Sequence, residues 1–175
     1  MKISHISPLH GRRQIPARQH GSAAVEFALL LVPLLLLSFG VVEYGRAIYH
    51  YNTLVKSVRA AARLLSSQSP DSEGYGELVA EARCLAVHGN VDCLGPVLVP
   101  KLSASSVEVC DRKSWSECKG SNQDSYRSVP TGQGSIHLVS VRIDGYAFPL
   151  IGLPLLNTGP TIGFGPIEAV MRQAG

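Results

Sequence analysis

A lone carboxylate at the start of an apolar run is the feature of this chain best placed to do chemistry. In Gly21-Ser22-Ala23-Ala24-Val25-Glu26-Phe27 a glycine closes a basic stretch, and Glu26 follows five positions later. A charge deep in hydrocarbon costs about 2.5 to 3.5 kcal/mol for a central aspartate, so its presence needs a reason. One reason is ordinary: in the first turns of a helix a negative charge suits the positive end of the dipole and still reaches the headgroups. The other is a task that requires the charge at that depth, and local geometry alone weighs the two evenly. Catalysis has no comparable support. His50, His88 and His137 are separated singles outside any HExxH or paired-cysteine spacing and are expected at the surface or at an interface. No serine or cysteine stands in a GxSxG or similar nucleophile setting. We therefore expect no catalytic residue, no metal ligand, no cofactor and no small-molecule substrate.

Charge and hydropathy are unevenly spread. Lys2, Arg12, Arg13 and Arg18 stand without an acid in the first 25 residues, and the rest of the chain carries 12 basic against 13 acidic residues. A near-neutral body lacks the basic surface that phosphate neutralisation needs, which argues against nucleic acid as a partner. From Phe27 to Val42 no residue is charged. Counted from Ser22, the apolar stretch would be roughly 31 Å long as a helix, against a hydrocarbon core of about 30 Å. It reads as a single membrane span. Cys84, Cys93, Cys110 and Cys118 all lie beyond it, and an even number on one side of a membrane favours disulfides in an oxidising compartment. Three connectivities are open, with Cys84–Cys93 and Cys110–Cys118 preferred because their loops are short. The charge bias does not decide topology, because residues 6–25 and residues 43–62 each hold three basic side chains.

The elements that must carry these residues follow from periodicity. Residues 1–21, with Pro8, Gly11 and Pro16, read as a cytoplasmic basic leader. The Arg12-Arg13 pair is a poor twin-arginine signal, since Gln14-Ile15-Pro16 follows and the apolar run begins well downstream. One helix is expected from about Ser22 to Ser67, spanning the membrane over residues 22–43 and amphipathic over 44–69. Its inward stripe would be Tyr44, Ile48, Tyr51, Leu54 or Val55, Val58, Ala61 or Ala62, and Leu65. Pro33 removes one i to i−4 bond and predicts a kink. Glu43, Tyr44 and Arg46 form a charged girdle, read first as a membrane-interface anchor and second as a subunit-docking point. Residues 70–175 would form a small extracytoplasmic α+β domain. It would hold a helix over about Gly76 to Val87 that stops near Gly89, and strands at Ser106–Cys110, Ile136–Asp144 and Ile167–Arg172. In the middle strand, alternation of Val139, Val141 and Ile143 with polar residues predicts one covered face. Phe148 to Pro166, rich in proline and glycine, is expected to be an irregular connection; its glycines lack the GxxxxGK[ST] frame.

Several of these steps occur together in one known pattern. Gly21, Val25-Glu26-Phe27, Pro33, Glu43-Tyr44-Gly45-Arg46 and Ala60-Ala61-Ala62-Arg63 resemble the TadE-like family of tight-adherence (Flp) pilus assembly proteins over roughly residues 20–65. The resemblance implies a pilin-like layout, a long N-terminal helix packed on a small antiparallel sheet, and a role as pseudopilin or minor pilin. It further implies cleavage by a prepilin peptidase between Gly21 and Ser22, which makes Glu26 the fifth residue of the mature chain. There the carboxylate would pair with the N-terminal ammonium of a neighbouring subunit, offsetting the desolvation of both charges. Phe27, Pro33, Glu43, Tyr44, Gly45 and Arg46 are carried over as motif residues of assembly. The implied setting is the bacterial inner membrane, single-pass, with a periplasmic C-terminal domain, other pilus-assembly subunits as partners, and incorporation into a pilus as one outcome. The competing reading is a secreted or envelope-anchored binding domain behind a secretory signal cut near Ser38 or Gly40.

Overall fold

The computed structural model describes residues 20–114, 118, 126, 128–151 and 161–174. The leader reading for residues 1–19 lies outside the described residues. The chain comprises two compact units, Met1–Val41 and Val42–Gly175.

Helix α1 runs from His20 to Ser66 and contains Pro33. Within the first unit it is apolar all round, and every side chain from Gly21 to Val41 is exposed, Phe27, Leu29 and Leu37 among them. A helix hydrophobic on all sides, with none of this stretch buried among the described residues, is long and apolar enough to cross a membrane. Ser38 Oγ donates to the Leu34 carbonyl at 2.9 Å, which satisfies the hydroxyl inside this apolar stretch.

In the second unit α1 buries Ala47, Leu54, Ser57, Val58, Ala61, Ala62 and Leu65. This corrects the phase of the expected stripe in its first half. Tyr44, Ile48 and Tyr51 are 68, 43 and 45% exposed, and the smaller Ala47 and the polar His50 lie inward instead. Periodicity sets the spacing of a stripe, whereas its phase depends on what covers it. Both rows are apolar enough to qualify, and the covering aromatic rings described below select the row that includes His50.

Helix α2, Tyr75–His88, begins after Gly74 and ends at Gly89, both with positive φ of 82° and 78°. Glycine adopts that conformation without strain, so the two residues bracket the helix. The Gly89 N–H caps the Leu85 carbonyl at 3.0 Å.

Six strands follow among the described residues: β1 Val107–Cys110, β2 Val129–Thr131, β3 Gly134–Ile143, β4 Ala147–Pro149, β5 Thr161–Gly163 and β6 Ile167–Gln173. β3 is central, with β1 and β6 antiparallel on either side and β2 pairing its N-terminal end. The register aligns Val109 with Val141 and Val141 with Ala169, then Val107 with Ile143 and Ile143 with Ile167. Partners across a ladder share a face. These residues and the α1 and α2 apolar rows, including Ala82, Ala86 and Val87, form one core. Each fully buried Val, Leu or Ile in it contributes about 1.5 to 3 kcal/mol. The layout is α+β, a long N-terminal helix with a small antiparallel sheet.

Two local expectations change. The sheet's other face is partly covered as well: Ser140 is buried, and Cys110, Cys118 and Tyr126 form a second small cluster with Leu138 packed on it. A serine at an alternating position reads as solvent-facing, yet its hydroxyl donates to Tyr126 Oη at 3.1 Å, which makes burial tolerable. The Phe148–Pro166 stretch is not wholly irregular either, since β4 and β5 pair antiparallel with Phe148 opposite Ile162. Residues 152–160 of that connection lie outside the described residues.

Candidate assembly site

The residues singled out from sequence fall into two groups along α1. Gly21, Ser22, Glu26, Phe27 and Pro33 all lie on the exposed apolar arm. The Gly21–Ser22 bond lies within α1, at the start of the described residues. No described side chain hydrogen-bonds or ion-pairs with Glu26, so its carboxylate is available to a group outside the chain. A Cβ built on Gly21, Gly40 or Gly45 meets nothing within 4 Å, so none of these glycines is required by packing within the chain.

The second group closes into a collar. Arg46 Nη1 reaches both carboxylate oxygens of Glu43, at 2.7 and 2.8 Å, an i, i+3 pair on the helix surface. The same guanidinium lies over the Phe148 ring, 5.1 Å from its centroid. One turn further, His50 meets Phe148 edge-on at 5.0 Å, and its Nδ1 is 3.1 Å from Tyr146 Oη. Phe164 stacks on Phe148 at 6.2 Å and meets Tyr51 edge-on at 5.6 Å. Burial first, and then the nearby Arg46 charge, hold the His50 imidazole below its ordinary pKa; burial pushes the Tyr146 phenol up. Glu43 and Arg46 are therefore fixed to the β4–β5 pair through Phe148, beyond the interface role read from sequence. Tyr44 is not part of the collar and remains exposed.

Sequence reasoning missed Tyr146, Phe148 and Phe164. The available signal was compositional: aromatics are 6% of the chain, and two of its four phenylalanines bracket the proline- and glycine-rich connection. Aromatic rings there serve as anchors for backbone that holds few ladder bonds.

The cysteines pair as Cys84–Cys93 and Cys110–Cys118. The first ties the last turn of α2 to the loop after it, where the Asn90 side chain holds Leu94 from both sides. Glu108, Cys110 and Cys118 bring candidate ligand atoms within 4.8 Å of one another. Both sulfurs are bonded to each other and neither offers the thiolate a metal requires. His88 Nδ1 lies 3.1 Å from the Gly95 carbonyl, and His137 is half-buried on β3 opposite Gln173. The three histidines are thus dispersed, and His50 is the one built into the collar.

No curated protein and no solved structure matches the chain. A family does. Its model is described as TadE-like protein and matches residues 21–63, from the glycine at the head of the arm to the last arginine of the α1 basic row. Over residues 21–63, about a quarter of its length, the chain is thus similar to the TadE-like family, the family the sequence resembles.

Proposed function

We propose that the chain is a single-pass pseudopilin or minor pilin-like component of a tight-adherence (Flp-type) pilus assembly and secretion system in the bacterial inner membrane. Residues 22–43 span the bilayer, residues 44–69 continue the helix, and residues 70–175 form a periplasmic domain. The observation that carries this is the coincidence of the TadE-like match with an apolar helix that its own chain leaves bare. Two disulfides on one side of that helix support an oxidising location for the domain. A helix continuous through Ser38 and Gly40 into the core favours a retained arm over a secretory signal cut there.

On this reading a prepilin peptidase cuts between Gly21 and Ser22. Cleavage creates an ammonium at Ser22 and places Glu26 one turn later. The arm of one subunit beside another pairs the carboxylate of one with the ammonium of the next, and further pilus-assembly subunits attach through the same helices. Phe27 and Pro33 shape the arm, while Glu43, Tyr44, Gly45 and Arg46 mark where it leaves the membrane.

The test compares Glu26→Ala with Glu26→Asp. Alanine leaves insertion unchanged or easier, since it removes a costly charge. It leaves the neighbour's ammonium unmatched, a penalty of about 3 to 5 kcal/mol when buried. Protein abundance, leader removal and disulfides should stay normal while surface pili are lost, with aspartate retaining part of the function. Normal piliation by Glu26→Ala would reduce Glu26 to a helix-dipole residue.

A further inference from the structure

Beyond Glu43 the α1 helix carries no acid, and Lys56, Arg59 and Arg63 recur at three- and four-residue steps. These three cations line a surface groove of about 840 Å³ with Leu64, Leu85 and Met171. Among the described residues no ion pair or side-chain hydrogen bond engages any of them. The reverse arrangement stands at the start of α2. Glu73, in the turn before the helix, and Glu77 and Glu81 on it are exposed at four-residue steps, without a cation between Ser67 and Ala82, and with the small exposed residues Gly76 and Ala80 beside them. They too have no ion pair among the described residues, whereas the neighbouring Asp71 is taken by Arg112 and Lys113.

We infer that the Lys56–Arg59–Arg63 groove is a docking surface for a second copy of this chain, which enters it with the Glu77–Glu81 face of α2 and the Glu73 turn before it. Charge complementarity selects the occupant. Arg59 and Arg63 are separated by four helical residues, roughly 6 Å, and so are Glu77 and Glu81. A face of glycine and alanine between carboxylates is low enough to reach the apolar floor while its charges meet the cations on the rim. The chain outside its first 25 residues is close to neutral overall, so segregation of opposite charges onto the later part of α1 and the start of α2 has self-recognition as its direct consequence. This contact lies in the folded domain and does not depend on leader cleavage or on Glu26, so it stands apart from the pilus reading.

The experiment uses the full-length protein in native membranes with a benzophenone amino acid in place of Ala60, an exposed residue lining the groove. Irradiation should link two copies, with the adduct mapped by mass spectrometry to residues 73–85 of the second copy. Lys56→Glu/Arg59→Glu/Arg63→Glu should cut the yield at least tenfold, and so should Glu77→Lys/Glu81→Lys. Co-expression of the two charge-reversed forms should restore the adduct, because each then offers the other a complementary face. Glu77→Gln/Glu81→Gln, which removes charge without reversing it, gives the same reading if reversal disturbs folding. An adduct to lipid, to a different protein or to another region of the second copy would overturn the inference. So would a yield indifferent to the charge changes, or absence of rescue between variants that retain both disulfides.

Discussion

Tyr75→Phe removes one oxygen from the buried polar network that joins α2, the end of β1 and β6. Tyr75 Oη donates to Asp111 Oδ2 at 2.9 Å and accepts from Gln173 Nε2 at 2.8 Å. Asp111 is 1% exposed, and its other oxygen accepts from the Lys113 and Ser114 backbone N–H groups at 2.7 and 2.8 Å. The ring of phenylalanine fills the same space, so no cavity term enters. Loss of a hydrogen bond to a buried carboxylate costs about 1.5 to 3 kcal/mol, and a Gln173 N–H left without an acceptor adds about 1 to 3 kcal/mol. A net loss of about 3 to 4 kcal/mol is expected. For a domain of this size each kcal/mol is roughly 3 to 6 °C in Tm. Thermal unfolding of the detergent-solubilised full chain, followed by circular dichroism, should fall by on the order of 10 to 20 °C. The network also sets an alkaline limit. Burial, then the Asp111 charge and its hydrogen bond, push the Tyr75 phenol well above its ordinary value of 10.0. The unfolded chain loses this proton near pH 10 while the folded chain keeps it. The contribution is therefore complete below pH 10, and stability falls as pH rises above it. Tyr75→Phe should reduce that slope, leaving the part contributed by the raised Tyr146 phenol. A Tm change under about 3 °C with an unchanged alkaline slope would refute the reasoning.

Other expectations concern the collar and topology. Phe148→Ala empties a fully buried site between Arg46, His50 and Phe164 and should cost about 3 to 5 kcal/mol, read as a fall in Tm, with Phe148→Leu milder. His50 is held neutral in the folded chain, while the unfolded chain takes up a proton near pH 6.5. Its contribution should be complete above pH 6.5 and decline as pH falls toward the lowered folded value, and His50→Gln should flatten that decline in pH-dependent melts. A cysteine introduced at the exposed turn residue Gly132 should react with an impermeant thiol reagent once only the outer membrane is opened. Labelling solely after inner-membrane disruption would reverse the proposed orientation.

Long elements were legible because their periodicity is redundant. α1 and α2 needed only an apolar row and its breakers, and β1, β3 and β6 an alternation of branched residues. β2, β4 and β5 have three residues each, too few to establish a period, and two of them contain proline. The inward phase of α1 was hidden for a different reason: Tyr44, Ile48 and Tyr51 have larger apolar side chains than Ala47 and a less polar character than His50, yet the Phe148 ring selects the second row. Long-range polar links left no local trace, since Tyr75 finds Asp111 36 positions away and Gln173 98 away. The TadE-like stretch was legible because family likeness resides in a contiguous string. The collar was not, since its aromatic half comes from the far end of the chain.

The central claim is that the apolar arm is a processed pilin-type helix, and the mature N-terminus tests it most directly. Intact-mass measurement of the membrane-extracted protein, from cells bearing the cognate peptidase, should show removal of the first 21 of 175 residues, leaving 154 that begin at Ser22 with both disulfides formed. A chain beginning near Val41, or one still carrying Met1, would contradict it.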